Sequence, residues 1–394
     1  MNTSMIRYIL GHALKIEAIL LLLPCLTAVY YQEIQGVYYL LTAAICIVLG
    51  FLMTLRKPKN NVFYLKEGCV ATALSWMFLS VFGCLPFVFS REIPSFTNAL
   101  FETISGFTTT GASILEDVEA LSHCALLWRS FTHWIGGMGV LVFLLAIVPM
   151  SGGSNINLMR AESPGPSVGK LVPKMVSSAR ILYGIYFGLT LLEVILLVLG
   201  GMPLFDSIVH ALGTAGTGGF GIKADSIASY SHFCQWVITV FMLLFGVSFN
   251  MYYLLLIKRW REVLKSNELK CYLGISLAAM IIVVLSIMPL YGSIADAVRL
   301  SAFQVSSIVT TTGYATADFD AWPSLAKAVL LILMFFGGCM GSTAGGLKMS
   351  RVTVLAQIAR NDLRHALRPR EVSTVILNGR RVDAQGERQI LSYF

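Results

Sequence analysis

The chain has 394 residues, of which 56% are hydrophobic and only 13% are charged. Soluble domains carry about 25% charged residues, so this composition excludes an ordinary soluble protein and indicates a polytopic membrane protein. The formal net charge of +8 does not indicate a nucleic-acid-binding protein, because the basic residues are divided among the connections between apolar segments.

Apolar segments that are long enough to cross a bilayer recur along the whole chain. A helix needs about 20 residues to cross about 30 Å of hydrocarbon. The candidate spans are 8–31, 37–55, 68–90, 124–150, 177–201, 233–258, 269–291 and 325–347. The first has no small-residue cleavage site and a second apolar segment follows at once, so we interpret it as a helix rather than a signal peptide.

The basic residues predict the topology. Lysine and arginine fill the connections at 56–66, 160–180 and 258–270 and the C-terminal tail, whereas the intervening connections carry mainly acidic residues. The positive-inside rule places these basic connections and the N-terminus in the cytoplasm.

One unit recurs about every 100 residues, and repeats of this kind reveal architecture. Three stretches show it: FTNALFETISGFTTTGAS (96–113), LFDSIVHALGTAGTGGFG (204–221) and IADAVRLSAFQVSSIVTTTGYA (294–315). Each predicts a helix of about 10 to 15 residues, too short to span a bilayer, followed by a strip rich in threonine and glycine. This alignment places Gly111, Gly218 and Gly313 at the same position of each unit.

The polar strips predict a pore. Irregular backbone at membrane depth is stable only where it is buried in protein or lines a water-filled cavity. Glycine allows conformations that point successive carbonyls in one direction, and rings of carbonyl oxygens replace the hydration shell of an alkali cation. Asp318 and Asp320 are then expected at the outer mouth. The alternative, a small-residue contact between closely packed helices, explains one such strip better than three in register.

Six other polar side chains lie within or beside the apolar segments. Arg129 is interpreted as paired or snorkelling rather than as a voltage sensor. His133 and His210 are interpreted as buried, hydrogen-bonded histidines rather than as proton relays. Carboxylates near the predicted starts of the short helices are interpreted as helix caps rather than as cation-recruiting groups, namely Glu102, Asp206 and Asp296.

A glycine cluster interrupts the last apolar segment. The stretch FFGGCMGSTAGGLKMSR (335–351) contains five glycines, and each glycine costs about 1 kcal/mol relative to alanine within a helix. The helix is therefore expected to break here, although a close packing contact between helices is an alternative.

The motifs SGFTTTGAS, GTAGTGGFG, VTTTGYAT and GGCMGSTAGGLK, with HWIGGMGVLVF (133–143) and MRAESPGP (159–166), resemble the Trk/Ktr/HKT superfamily of potassium transporters. The resemblance is closest to the bacterial TrkH type and covers essentially the whole chain. It implies an all-α polytopic homodimer in the bacterial inner membrane, with pseudo-fourfold repeats of helix, re-entrant pore loop and helix in each subunit. Potassium uptake is the implied function, and no organic cofactor is implied.

The resemblance also implies the site residues. The filter residues that would bind potassium are Thr109, Thr110, Gly111, Thr217, Gly218, Thr311, Thr312 and Gly313. A glycine at each filter goes with potassium selectivity, and a serine at the first goes with sodium permeation. The residues of an intramembrane gating loop would be Gly341, Ser342, Thr343, Ala344, Gly345, Gly346 and Lys348.

The resemblance also suggests roles for single residues of the gating loop. Gly345 and Gly346 would be its flexible points. Lys348 is either a cytoplasmic anchor or a group that holds the closed state through carbonyl contacts. The basic stretch 360–388 is expected to contact anionic lipid, and by resemblance to dock a cytoplasmic nucleotide-binding regulatory subunit of the TrkA type.

The expected organisation is two N-terminal helices (1–60), three pore repeats (61–158, 159–265 and 266–360, the last with the gating loop) and a basic cytoplasmic segment (361–394). That segment would lead to a fourth repeat that the chain lacks. A non-conducting remnant or assembly subunit that needs another chain to complete the pore is therefore the alternative function. An enzyme is not indicated, because the chain has no Walker motif, nucleophile elbow or metal-ligand spacing.

Overall fold

The computed structural model describes residues 2–58, 64–139, 175–368, 374–377, 380–382 and 384–393. Within these ranges the protein is mostly helical, as predicted, and the chain divides into two compact units, residues 1–234 and 235–394. The second half of the predicted span 124–150, the motif at 159–166 and the predicted boundary at 158 lie outside the described residues.

Nine described helices belong to the first unit. They are α1 (Thr3–Leu20), α2 (Leu22–Tyr31), α3 (Gly36–Thr54), α4 (Leu65–Gly83), α5 (Leu85–Phe89), α6 (Phe96–Phe107), α7 (His123–Met138), α8 (Met175–Leu199) and α9 (Leu204–Ala215). Helix α10 (His232–Phe245) carries the chain into the second unit.

The second unit continues with α11 (Phe249–Leu256), α12 (Trp260–Lys265), α13 (Asn267–Tyr291), α14 (Ile294–Val309), a 3-10 turn (Phe319–Ala321), α15 (Ser324–Leu333) and α16 (Met349–Leu367). Strands β1 (Ile376–Leu377) and β2 (Arg380–Arg381) form an antiparallel hairpin ahead of α17 (Ala384–Tyr393).

Five of the predicted spans are confirmed in the described residues. The helical stretches long and apolar enough to cross a membrane are Thr3–Tyr31, Gly36–Thr54, Lys66–Phe89, Ala179–Leu199 and Asn267–Tyr291. Their apolar side chains remain largely exposed outside the protein core, as expected for surfaces that face lipid.

Two predicted spans are broken. The segment 233–258 is not one straight helix, because α10 and α11 meet at an angle of 91°. Gly246 lies at this break, and its carbonyl accepts a hydrogen bond from the amide of Cys339 at 2.8 Å. The segment 325–347 contains α15 only as far as Leu333, which confirms the break predicted from the glycine cluster.

Helices α6, α9 and α14 are the short helices predicted by the repeat. They contain 12, 12 and 16 residues, which at 1.5 Å per residue gives about 18 to 24 Å, less than the bilayer core. Ser95 and Ser293 cap the first and third by accepting hydrogen bonds from the amides of Asn98 and Asp296.

The short helices are anchored in the apolar core of their own unit. In the first unit α6 packs against α7 and α9 packs against α7 and α8; Phe107 and Trp128 meet edge to face at 6.1 Å. In the second unit α14 packs against α13. Each short helix is held by this packing, and the irregular strip begins where the helix ends.

Candidate functional site

The backbone turns in the same way at the end of each short helix. Thr109, Thr217 and Thr311 have φ values of 55°, 52° and 57°, and the amide of each donates to the carbonyl three residues earlier. Residues other than glycine rarely adopt this left-handed region, because the side chain crowds the backbone. Strain repeated at three equivalent positions indicates a functional backbone held by its surroundings.

The next two residues fix the register of the repeat. The amides of Thr110, Gly218 and Thr312 each donate to the carbonyl five residues earlier, at 2.9, 3.0 and 2.8 Å. A glycine with positive φ follows in each case: Gly111 at 75°, Gly219 at 78° and Gly313 at 90°. The three strips are therefore 108–113, 216–221 and 310–315.

The predicted equivalence of Gly218 with Gly111 and Gly313 is wrong by one residue. Gly219 is the equivalent glycine, 108 residues after Gly111 and 94 before Gly313. Gly218 occupies the position that Thr110 holds in the first strip. The sequence GTGGFG has two adjacent glycines, and only the backbone conformation tells them apart.

The second strip also differs from the others in side chains. In the first strip the hydroxyls of Thr108 and Thr110 lie 2.8 Å apart, and in the third those of Thr310 and Thr312 do the same. The second strip has Gly216 and Gly218 at these positions. It therefore lacks the threonine pair.

His133 on α7 explains the two glycines of the second strip. A Cβ on Gly216 would collide with the backbone of His133, and a Cβ on Gly218 would collide with its imidazole ring. His133 is fully buried and stacks on Phe220 with ring centroids 4.1 Å apart. Within the described part of the chain neither ring nitrogen has a hydrogen-bond partner, so burial is confirmed and the predicted hydrogen bonding is not.

The strips have the backbone chemistry of a cation site. Each strip has two left-handed residues separated by one of negative φ, and backbone carbonyl oxygens are ligands for alkali cations. The strips contain no charged side chain. Asp318 and Asp320, predicted at the outer mouth, are exposed, and the carboxylate of Asp318 accepts the amide of Asp320 at 2.9 Å.

The glycine-rich loop between α15 and α16, residues 334–348, lies against the break between α10 and α11. The amide of Phe249 donates to the carbonyl of Gly341 at 3.0 Å, and the hydroxyl of Thr343 donates to the carbonyl of Phe245 at 3.3 Å. The bend that the sequence did not predict thus exposes backbone groups that bind the loop.

The loop also contacts the third strip directly. The amide of Gly345 donates to the hydroxyl oxygen of Thr311 at 2.7 Å, and that hydroxyl donates in turn to the carbonyl of Thr310 at 2.7 Å. Gly341 and Gly346 have positive φ, 75° and 68°. The loop and the third strip are therefore linked through the hydroxyl of Thr311.

Two charged side chains bind backbone groups of the loop. Lys348 donates from Nζ to the carbonyl of Ala344, so of its two interpretations the structure shows the carbonyl contact. Glu268, 4% exposed in the first turn of α13, accepts hydrogen bonds through Oε1 from the amides of Met340 at 2.6 Å and Ser350 at 3.1 Å. Sequence reasoning missed Glu268, which reads as an ordinary acidic residue at a helix start.

The predicted capping carboxylates have different positions. Asp206 and Asp296 lie in the first turns of α9 and α14, as predicted. Glu102 does not cap α6, because it lies in the middle of that helix, is 1% exposed and binds Arg129. The prediction that Arg129 is paired is confirmed.

Several helices long and apolar enough to cross a membrane, together with short helices that each end in a strained strip of backbone, define a polytopic membrane protein. The TrkH family of cation transport proteins matches residues 37–394. The chain belongs to this family.

The chain is similar to known potassium uptake proteins. It is 34% identical to the Trk system potassium uptake protein TrkH of Salmonella typhimurium over 369 residues, 91% of this chain and 76% of the relative. It is 31% identical to the Trk system potassium uptake protein TrkG of Escherichia coli, over 100% of this chain and 83% of the relative.

A solved structure has the same fold. The crystal structure of the potassium transporter TrkH from Vibrio parahaemolyticus superposes with a TM-score of 0.89 and 28% identity, covering 100% of this chain and 83% of that one. The relatives belong to a transport family, which agrees with the expectation that the chain is not an enzyme.

Proposed function

We propose that the protein takes up potassium across the bacterial inner membrane through its three carbonyl strips. The observation that carries this proposal is the identical backbone of the strips: a left-handed threonine, a residue of negative φ and a left-handed glycine, three times. The similar TrkH and TrkG proteins are named as potassium uptake proteins, which does not favour the non-conducting remnant.

The proposed potassium ligands are the backbone carbonyls of the strips, with the threonines and glycines predicted from the sequence. Gly219 joins them as the equivalent of Gly111 and Gly313. Glycine at all three positions leaves the ion path free of side chains, and the strips carry no charge that would hold the ion too tightly to leave. Potassium is the transported ion, and no organic cofactor takes part.

The proposed gate is the glycine-rich loop, with residues 341–346 and Lys348. Its bonds to Thr311, Glu268 and the break at Gly246 describe one closed arrangement of a segment whose glycines permit another. Opening requires these bonds to break together. The gate therefore acts beside the third strip and not at a distance from it.

The remaining parts of the proposal concern topology and partners. The N-terminus is cytoplasmic by the distribution of basic residues, and the repeats have the boundaries that the sequence predicts. The protein is a homodimer that binds a TrkA-type nucleotide-binding subunit on its cytoplasmic face. Support for that docking face is the C-terminal hairpin, which Gln357 of α16 binds through both side-chain amide atoms at 3.0 Å.

The test uses bacteria that lack their own potassium uptake systems and express the full chain. Uptake of radioactive rubidium at low external potassium is measured for the wild type, Gly313→Ser and Gly274→Ser. A Cβ at either glycine meets open space, but Gly313 has a φ of 90° within a strip whereas Gly274 lies within the spanning helix α13. We expect uptake with the wild type and Gly274→Ser and its loss, or sodium permeation, with Gly313→Ser; no uptake by an inserted wild-type chain would refute the proposal.

A further inference from the structure

The first unit contains a buried ion pair beside the first two strips. Glu102 on α6 accepts from Arg129 on α7 through Oε1, from Nε at 2.8 Å and from Nη2 at 2.7 Å. The two side chains are 0% and 2% exposed. A buried ion pair is by itself weak evidence for stability, because removing both charges from water offsets their attraction. The role of this ion pair is therefore inferred from the other groups that its two side chains contact.

The guanidinium of Arg129 reaches both strips at the same position. Its Nη2 donates to the hydroxyl of Ser113 and its Nη1 donates to the carbonyl of Gly221, each at 3.3 Å. Ser113 lies two residues after Gly111, and Gly221 lies two residues after Gly219. One rigid, planar side chain thus connects equivalent points of the first and second strips.

Further contacts strengthen each side of this bridge. Glu102 accepts the hydroxyl of Ser113 at 3.0 Å and the amide of Ile114 at 3.0 Å, which ties the end of the first strip to the helix before it. On the other side, the guanidinium carbon of Arg129 lies 4.2 Å from the ring centroid of Phe220 in the second strip, a favourable cation–π distance.

The third repeat makes its strip without such a pair. The residue nine positions before Gly313 is Gln304, where the first repeat has Glu102 nine positions before Gly111. The hydroxyl of Ser307 instead donates to the carbonyl of Tyr314 at 2.6 Å. The third strip thus has a neutral glutamine where the first has Glu102, and a hydroxyl of its own helix binds it. In the first two strips the charged pair adds a connection from one strip to the other.

We propose that Glu102 and Arg129 are positioning residues that fix the spacing between the first and second strips and thereby set ion selectivity. This inference rests on the proposed potassium function. Discrimination between cations by carbonyl oxygens depends on the size of the site and on how many oxygens coordinate the ion. If the distance between the two strips is no longer fixed, selectivity between cations falls, although the short helices remain packed.

The main test is Arg129→Lys, which keeps the buried positive charge but loses the planar fork that reaches three acceptors. In liposomes containing the full chain, we expect the ratio of potassium to sodium flux to fall about tenfold, the factor expected for one lost hydrogen bond to a charged group. The matched control is Arg299→Lys, because Arg299 pairs with Asp296 on α14 and also binds Gln235. The control should keep the wild-type ratio.

A second variant separates positioning from charge balance. Replacing both members, Glu102→Met with Arg129→Met, leaves no unpaired buried charge and so protects folding. A pair that only balances charge predicts wild-type selectivity in this double variant. The positioning role predicts that its selectivity is as low as that of Arg129→Lys.

A third measurement does not depend on transport. Amide hydrogen exchange is followed in the segments 111–115 and 219–223, which the bridge connects. We expect faster exchange in both segments for Arg129→Lys and for the double variant, and no change for Arg299→Lys. Unchanged exchange and unchanged selectivity in folded Arg129 variants would overturn the inference. A wild type without ion selectivity would refute the proposed function instead. In that case the hydrogen-exchange measurement alone would test whether Arg129 connects the two strips.

Discussion

Glu268 gives the sharpest prediction for the glycine-rich loop. Its Oε1 accepts the amides of Met340, within the loop, and Ser350, in the first turn of α16, and the side chain is almost fully buried. Glu268→Gln keeps an acceptor of the same shape but removes the charge. Hydrogen bonds to charged groups are worth about 1 kcal/mol more than neutral ones, so two bonds lose about 2 kcal/mol in total.

This loss acts on the closed arrangement of the loop. A free-energy change of about 2 kcal/mol changes an equilibrium about 30-fold, so the basal potassium flux of the Glu268→Gln protein should rise by up to that factor. Glu268→Ala leaves two amides without an acceptor, at about 1 to 3 kcal/mol each, and should in addition lower the temperature of unfolding.

The assay is potassium flux from liposomes together with thermal unfolding of the purified protein. Glu262→Gln is the matched control, because Glu262 on α12 forms an exposed ion pair with Arg259, the residue before that helix, and such pairs contribute about 0 to 1 kcal/mol. If Glu268→Gln and Glu268→Ala both behave like this control, the carboxylate does not hold the loop and the reasoning is wrong.

Two further predictions concern the second strip and the start of α7. Gly218→Ala should lower stability by about 1 to 3 kcal/mol through overpacking against His133, and His133→Ala should relieve part of that loss in a double-mutant cycle of unfolding free energies; additive effects would contradict the packing explanation. Glu33, in the connection before α3, accepts the amides of His123 at 2.7 Å and Cys124 at 3.0 Å. Burial raises the pKa of Glu33, but these hydrogen bonds outweigh it and hold the pKa below its ordinary value. Its contribution to stability is therefore complete above the unfolded pKa of about 4.3 and is lost as the pH falls through the folded pKa. The difference in unfolding temperature between wild type and Glu33→Gln should shrink as the pH falls below about 4, and a constant difference would contradict this sign.

The spans, short helices and loop break could be predicted because each depends on local composition. Apolar runs of helix length, a repeated threonine–glycine strip and a cluster of five glycines at 335–351 are visible in the sequence alone. The resemblance to the TrkH family added the function and was correct in its family assignment.

The remaining features depend on contacts between distant residues. Glu102 and Arg129 are 27 residues apart, and Glu268 is 72 residues from Met340, so no local pattern joins them. The bend after Phe245 lies within a continuous apolar run, and it forms where the loop supplies hydrogen-bond partners for the broken helix. The need for glycine at positions 216 and 218 of the second strip comes from His133, which lies on a preceding helix.

The most direct test of the account is the ratio of potassium to sodium flux through the full chain in liposomes. The wild type and Gly274→Ser should favour potassium, and Gly111→Ser and Gly313→Ser should both lose that preference, since each serine would enter a left-handed position within a carbonyl strip. A wild type that passes both ions equally, or folded strip variants that keep the wild-type ratio, would contradict the claim that these strips select the ion.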